Sequence, residues 1–138
     1  IAINSLLIDN LFGYEFHDSI TFVYIGISLS AISISLFISA KISLGVNYSD
    51  CYSQKTPKKI VNTGLYSIIR HPIYSSNILL VISVLIISGS YLIIINLILI
   101  SLFYVISAFR EERYLINRFS NYNKYSKKTG MFVPKYWK

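Results

Sequence analysis

Arg70-His71-Pro72-Ile73-Tyr74 stands at the entrance to one hydrophobic stretch of this chain, and Glu111-Glu112 at the exit of the next. If the two stretches form a hairpin, a guanidinium, an imidazole and two carboxylates meet at one membrane surface. Such a set could hold a polar, zwitterionic ligand beside lipid. A carboxylate against a bilayer is costly unless paired or solvated, so Glu112, and less strongly Glu111, marks a functional site. Neither has a Lys or Arg three or four residues away, the spacing at which one helix would pair them. Their partners must come from elsewhere in the fold. Two readings stand side by side: Glu112 serves a ligand, or it pairs with Arg70 and ties the hairpin ends together.

The elements that would bring these residues together are apolar helices. The chain is 138 residues and 54% hydrophobic, with a mean hydropathy of +0.54, which points to a small one-domain membrane protein. Residues 20–40 and 74–109 carry no charge, and roughly 20 apolar residues cross a bilayer core. Ser88-Gly89-Ser90 interrupts the second run and predicts the turn of a helical hairpin with a short arm at 72–87 and a full span at 91–109. Pro72 keeps His71 out of helical geometry and opens the following helix at its first turn, placing His71 beside free backbone N–H groups that favour anions. Beyond the span, Val105, Ala108, Phe109, Glu112, Leu115, Ile116 and Phe119 form one helical stripe, so the helix continues out of the membrane. In the first span, Gly26 with Ser30 and Ala31 with Ser35 permit close helix packing. The expected fold is all-α: a membrane helical bundle with a C-terminal hairpin and a cytoplasmic cofactor pocket. Residues 1–138 form a single membrane domain with its core at 62–134, and the apolar segment 1–8 is expected to be the tail of a helix that begins upstream.

Charge supplies an orientation. All thirteen Lys and Arg lie from Lys41 onward, whereas residues 1–40 carry only Asp9, Glu15 and Asp18. The positive-inside rule puts the connector 41–71 and the tail after Phe109 in the cytoplasm, with the hairpin turn and the 9–18 loop outside. A net charge of +7 could also suit nucleic acid. The chain shows no nucleic-acid module, however, and its basic residues crowd the membrane exits, where Tyr122, Tyr125, Tyr136 and Trp137 accompany them, so anionic lipid is the expected partner.

Several chemistries are not supported. Cys51, the lone cysteine, precludes an internal disulfide and a multi-cysteine metal site. His17 and His71 fall on opposite membrane sides, so no metal is expected. The six glycines contain no G-x-G-x-x-G, and no Ser/His/Asp set assembles.

The ordered set Gly64-x-Tyr66-x-x-x-Arg70-His71-Pro72-x-Tyr74, a hydrophobic hairpin, Glu111-Glu112-x-x-Leu115-x-x-x-Phe119-x-x-Tyr122-x-x-Tyr125 and a closing Phe132-Val133-Pro134 resembles the isoprenylcysteine carboxyl methyltransferase and phospholipid methyltransferase group. The resemblance covers residues 62–134, and nothing specific is recognised before them. It implies an integral-membrane enzyme that uses S-adenosylmethionine at the cytoplasmic side. By that likeness Tyr66, Arg70, His71, Pro72 and Tyr74 line the cofactor pocket, Glu111 and Glu112 bind its amino or ribose groups, Tyr122 and Tyr125 close over it, and Arg70 and Glu112 act in catalysis. The family often has glycine two residues after the tyrosine of Arg-His-Pro-x-Tyr, where this chain has Ser76.

The implied reaction is nucleophilic displacement at the cofactor's methyl group, with the protein aligning the partners in a dry site. A carboxylate acceptor needs no general base, whereas an amine must first lose a proton. At this depth the acceptor is expected to be lipid-borne or prenylated. Two other readings compete: a membrane sterol or steroid reductase binding NAD(P)H through a similar Arg-His-Pro-x-Tyr turn, and a non-catalytic membrane subunit that keeps the fold.

Overall fold

The computed structural model describes residues 19–45 and 59–135. The expectations for the 1–8 segment, the 9–18 loop, His17, Cys51, Tyr136 and Trp137 lie outside these residues.

Helix α1 spans Ile20–Leu44. Ser19 caps it by accepting from the Thr21 N–H, which satisfies a donor that has no partner within the helix. At 1.5 Å per residue it is roughly 37 Å long, more than the ~30 Å hydrocarbon core. Ile25, Ile27, Ile32 and Ile34 face outward, as expected of a surface that meets lipid.

The opposite face of α1 is built of small residues. Gly26, Ser33 and Ala40 recur every seven positions and are buried, and Gly26 and Ser33 meet α2, which spans Pro72–Ser88. A Cβ on Gly26 would lie 2.8 Å from the Ser83 carbonyl oxygen and would collide with the Ile87 side chain. Hydroxyls bridge the same seam: Ser30 Oγ to Ser83 Oγ at 2.7 Å, and Ser33 Oγ to the Ser76 carbonyl at 2.6 Å. Close backbone approach and interhelical hydrogen bonds are what hold helices together in lipid, where burial of apolar surface supplies no drive. Gly26 and Ser30 therefore serve packing as expected. Ala31 and Ser35 do not, being exposed on the other face, where Ser35 bonds back to the Ala31 carbonyl. Ser76, at the position where glycine is common, is fully buried and fits because its hydroxyl folds back onto the Ile73 carbonyl.

Pro72 occupies the first turn of α2, preceded by His71 at φ −122°, ψ 57°. That is outside the helical region, as the following proline requires. Gly89, at φ 61°, closes α2 in left-handed geometry, its N–H bonded to the Leu85 carbonyl at 2.9 Å. A left-handed C-terminal residue is the position glycine fills without steric cost, so the hairpin turn falls where the sequence placed it.

Helix α3 then runs Tyr91–Arg118. Its length of roughly 42 Å exceeds the hydrocarbon thickness, which carries the charged end, from Arg110 onward, past the apolar layer. After a short bend, helix α4, Tyr122–Lys128, turns the chain back. Residues 129–132 then run parallel to 68–71: Ile69 and Gly130 form a bridge, Arg70 N–H bonds the Gly130 carbonyl at 2.9 Å and His71 N–H the Met131 carbonyl at 3.1 Å. Helix α2 packs on both α1 and α3. The described residues contain no strand. The fold is an all-α membrane bundle in which α1 and α3 are each long and apolar enough to cross a bilayer and α2 is a shorter apolar arm.

Candidate active site at the open end of the hairpin

Because α2 begins where α3 leaves the apolar layer, His71 and the Glu pair meet although 40 residues apart in the chain. His71 sits between the two carboxylates, Nδ1 3.4 Å from Glu111 Oε2 and Nε2 3.2 Å from Glu112 Oε1. Burial by itself would push the imidazole pKa down, but hydrogen bonds to Glu111 and Glu112 and their charges outweigh it and hold the pKa above its ordinary value. The site thus stabilises an imidazolium with a carboxylate on each ring nitrogen.

Arg70 braces the same cluster. Its Nε donates to Glu112 Oε1 at 2.6 Å, and Nη1 donates to the Ser126 carbonyl at 2.9 Å and to the Thr129 carbonyl. The last two acceptors lie at the C-terminal end of α4, where unpaired carbonyls favour a cation. Arg70 thus joins the hairpin entrance, the end of α3 and the returning tail.

The two glutamates differ in environment. Glu112, 13% exposed, is shared between Arg70 and His71. Glu111 is 44% exposed and receives both its contacts, Tyr74 Oη at 3.1 Å and His71 Nδ1, on Oε2. Among the described residues, Glu111 Oε1 accepts no hydrogen bond, which leaves a carboxylate oxygen turned to solvent at the edge of the cluster.

Aromatic rings frame that edge. Tyr74 stacks on His71 at 5.3 Å between centroids and 3° between planes, and on Tyr104 at 4.8 Å. Asn77 donates to Tyr104 Oη at 2.8 Å, and Phe132 lies 5.8 Å from His71. On the far side of Arg70, Tyr66 and Tyr122 are buried, and Tyr125 Oη donates to the Tyr66 carbonyl at 2.7 Å. Burial pushes the Tyr125 phenol up to about 12 and the Tyr122 phenol higher still, so both stay neutral through the physiological range.

Every residue predicted for the site is therefore in one connected cluster, with Pro72 setting the backbone that presents His71. Tyr104, Asn77, Thr129 and Phe132 were not anticipated. Tyr104 was within reach of pattern reasoning, since Tyr104, Ala108 and Glu111 share one face of α3. The stripe read from the sequence sits slightly too far round the helix: Phe109, 59% exposed, and Ile116, 42% exposed, point outward, and the packed face centres on Ala108. The tail residues carry no comparable signal, because backbone carbonyls supply their contacts. Among the described residues no group of three or more His, Cys, Asp or Glu could hold a metal ion.

The model of the phospholipid methyltransferase family matches residues 21–122, well over half of the chain. The chain belongs to the phospholipid methyltransferase family. The match takes in α1 as well as the hairpin, correcting the expectation that nothing before residue 62 is specific. It stops at Tyr122, before the tail that Arg70 holds. Family membership implies methyl transfer at a membrane and a lipid substrate. No curated protein matches the chain closely.

Proposed function

We propose that this family member transfers the methyl group of S-adenosylmethionine to a lipid-borne or prenylated acceptor, a carboxylate or an amine, from a pocket on the cytoplasmic face of a multi-pass membrane domain. The observation that carries the reading is Glu111: a half-exposed carboxylate with an open Oε1, fixed at its other oxygen by Tyr74 and His71 and flanked by aromatic rings. A cationic amino acid group or a ribose hydroxyl would find a charged acceptor there, which is the donor set the cofactor presents. When bound, the cofactor supplies a methyl group already activated by a sulfonium.

The chain's own residues divide the remaining tasks. Glu111 contacts the ligand directly. Glu112 and Arg70, the residues expected to act in catalysis, do so by fixing His71 and the returning tail, so that the pocket is organised before the ligand arrives. The Tyr74 and Tyr104 rings exclude water from the carboxylate's inner side. Tyr66, Tyr122 and Tyr125 hold α4 against the loop before Arg70 and close the pocket from the cytoplasm. A carboxylate acceptor would need no further help, whereas an amine must first lose its proton.

Binding of S-adenosylhomocysteine to the purified chain in detergent tests the reading. A ligand at a hundred times its Kd stabilises the folded state by about 2.7 kcal/mol, a readily measured rise in Tm. Glu111→Gln should lower the affinity about tenfold or more, since charged hydrogen bonds contribute roughly 1.5–3 kcal/mol. No shift with adenosylhomocysteine together with a shift on adding NADPH would overturn the assignment in favour of a reductase.

A further inference from the structure

Between α4, the end of α3 and the segment that begins at Lys59 lies an open cavity of about 420 Å³. Three lysines line it: Lys59 from the segment before the Arg-His-Pro turn, and Lys124 and Lys128, one turn apart on α4. The amides of Asn62 and Asn121 add neutral hydrogen-bonding groups. Phe119 and Ile60 supply an apolar wall, Phe119 standing where α3 ends.

The charge in this cavity has no counterpart within the described fold. After Asp50 the sequence contains only two carboxylates, Glu111 and Glu112, and both face His71 and Arg70. Among the described residues none of the three lysines forms an ion pair. Three ammonium groups around one concavity repel one another, and the repulsion is relieved by an anion with several acceptor oxygens. Lysine suits phosphate as a point charge, and the asparagine amides suit its remaining oxygens. The apolar wall and the position at the end of a membrane-crossing helix match a phosphate carried on glycerol and acyl chains, because anionic headgroups lie at that level.

We propose that this cavity binds the phosphate of an anionic phospholipid. None of Arg70, His71, Glu111 and Glu112 lines the cavity, and the proposal does not depend on methyl transfer. Tyr125 lines the cavity and bonds the Tyr66 carbonyl, so an occupant would clamp α4 onto the 59–66 segment and brace the wall shared with the pocket.

The test is direct binding of dihexanoyl phosphatidic acid to the purified full chain in a non-ionic, phosphate-free detergent, followed by native mass spectrometry and calorimetry. The lipid should bind saturably, weaken as salt rises, and lose at least tenfold in affinity in the triple variant Lys59→Gln/Lys124→Gln/Lys128→Gln. A control triple, Arg110→Gln/Arg113→Gln/Lys135→Gln, removes the same charge elsewhere and should bind like the parent. The exposed lysines can be replaced without opening the packed bundle, and an unchanged Tm checks that they were. Equal loss in both triples would reduce the effect to a general basic rim and overturn the site, as would equal binding of dihexanoyl glycerol, which lacks phosphate. Inorganic phosphate should compete only weakly. Full competition at similar affinity would overturn the lipid as the source. Adenosylhomocysteine binding, measured on the same samples, reports the methyltransferase reading separately.

Discussion

The Arg70–Glu112 pair should be energetically coupled by more than either residue's neighbours can replace. Arg70, with an 11% exposed side chain, donates to Glu112 at 2.6 Å and to two backbone carbonyls of the tail. Arg70→Met removes all three bonds and leaves Glu112 with His71 as its remaining cationic contact. Breaking a buried pair from one side typically costs about 3–5 kcal/mol. Glu112→Gln keeps an acceptor for Arg70 but loses its charge, so the expected cost is about 1–3 kcal/mol. In the double variant the uncompensated charge is gone, and its destabilisation should fall short of the sum of the single variants by at least about 1 kcal/mol, within the range for contacting residues. Equilibrium unfolding in mixed micelles measures the cycle. Limited proteolysis supplies a second readout: Arg70→Met should expose the 126–132 tail to cleavage, while Glu112→Gln leaves it protected by the carbonyl bonds. Additivity within about 0.5 kcal/mol would refute the coupling and leave the 2.6 Å contact without a role in stability.

The remaining expectations are simpler to check. His71 has a folded pKa raised above 6.5, so its contribution to stability is complete below 6.5 and is lost as pH rises through the folded value. Tm of the parent should therefore fall over that interval, His71→Gln should flatten the fall, and parallel profiles would contradict the carboxylate sandwich. Gly26→Ala forces a methyl against the Ser83 carbonyl and Ile87 and should cost about 1–3 kcal/mol by overpacking, whereas Ala31→Leu on the exposed face of α1 should change stability little. A cysteine introduced at Ser90 should label from outside intact cells and one at Ser126 should not. The opposite pattern would invert the proposed orientation.

Local rules made most of the architecture legible. The uncharged runs determine where the chain can cross a bilayer, because a charge left unpaired and unsolvated there is costly. Gly89 determines the hairpin turn because left-handed backbone is open to it without strain, and Pro72 sets the entry to α2 because it fixes φ and lacks an N–H. From these, the meeting of the Arg-His-Pro turn with Glu111-Glu112 follows by length alone, since two antiparallel arms must bring their outer ends together.

What the linear sequence could not decide is how the charges are shared. Arg70 reaches Glu112 and also the carbonyls of Ser126 and Thr129, 56 and 59 residues away, and backbone acceptors of that kind leave no mark on residue type or spacing. Nor could pattern separate the two adjacent glutamates. The rotation of α3 about its axis, set by how Ala108 packs on the bundle, turns Glu112 inward to Arg70 and His71 and leaves Glu111 at the edge with an oxygen open. Helical rotation depends on the shape of the facing surface, and a stripe that runs from Val105 to Phe119 permits several rotations until tertiary packing selects one.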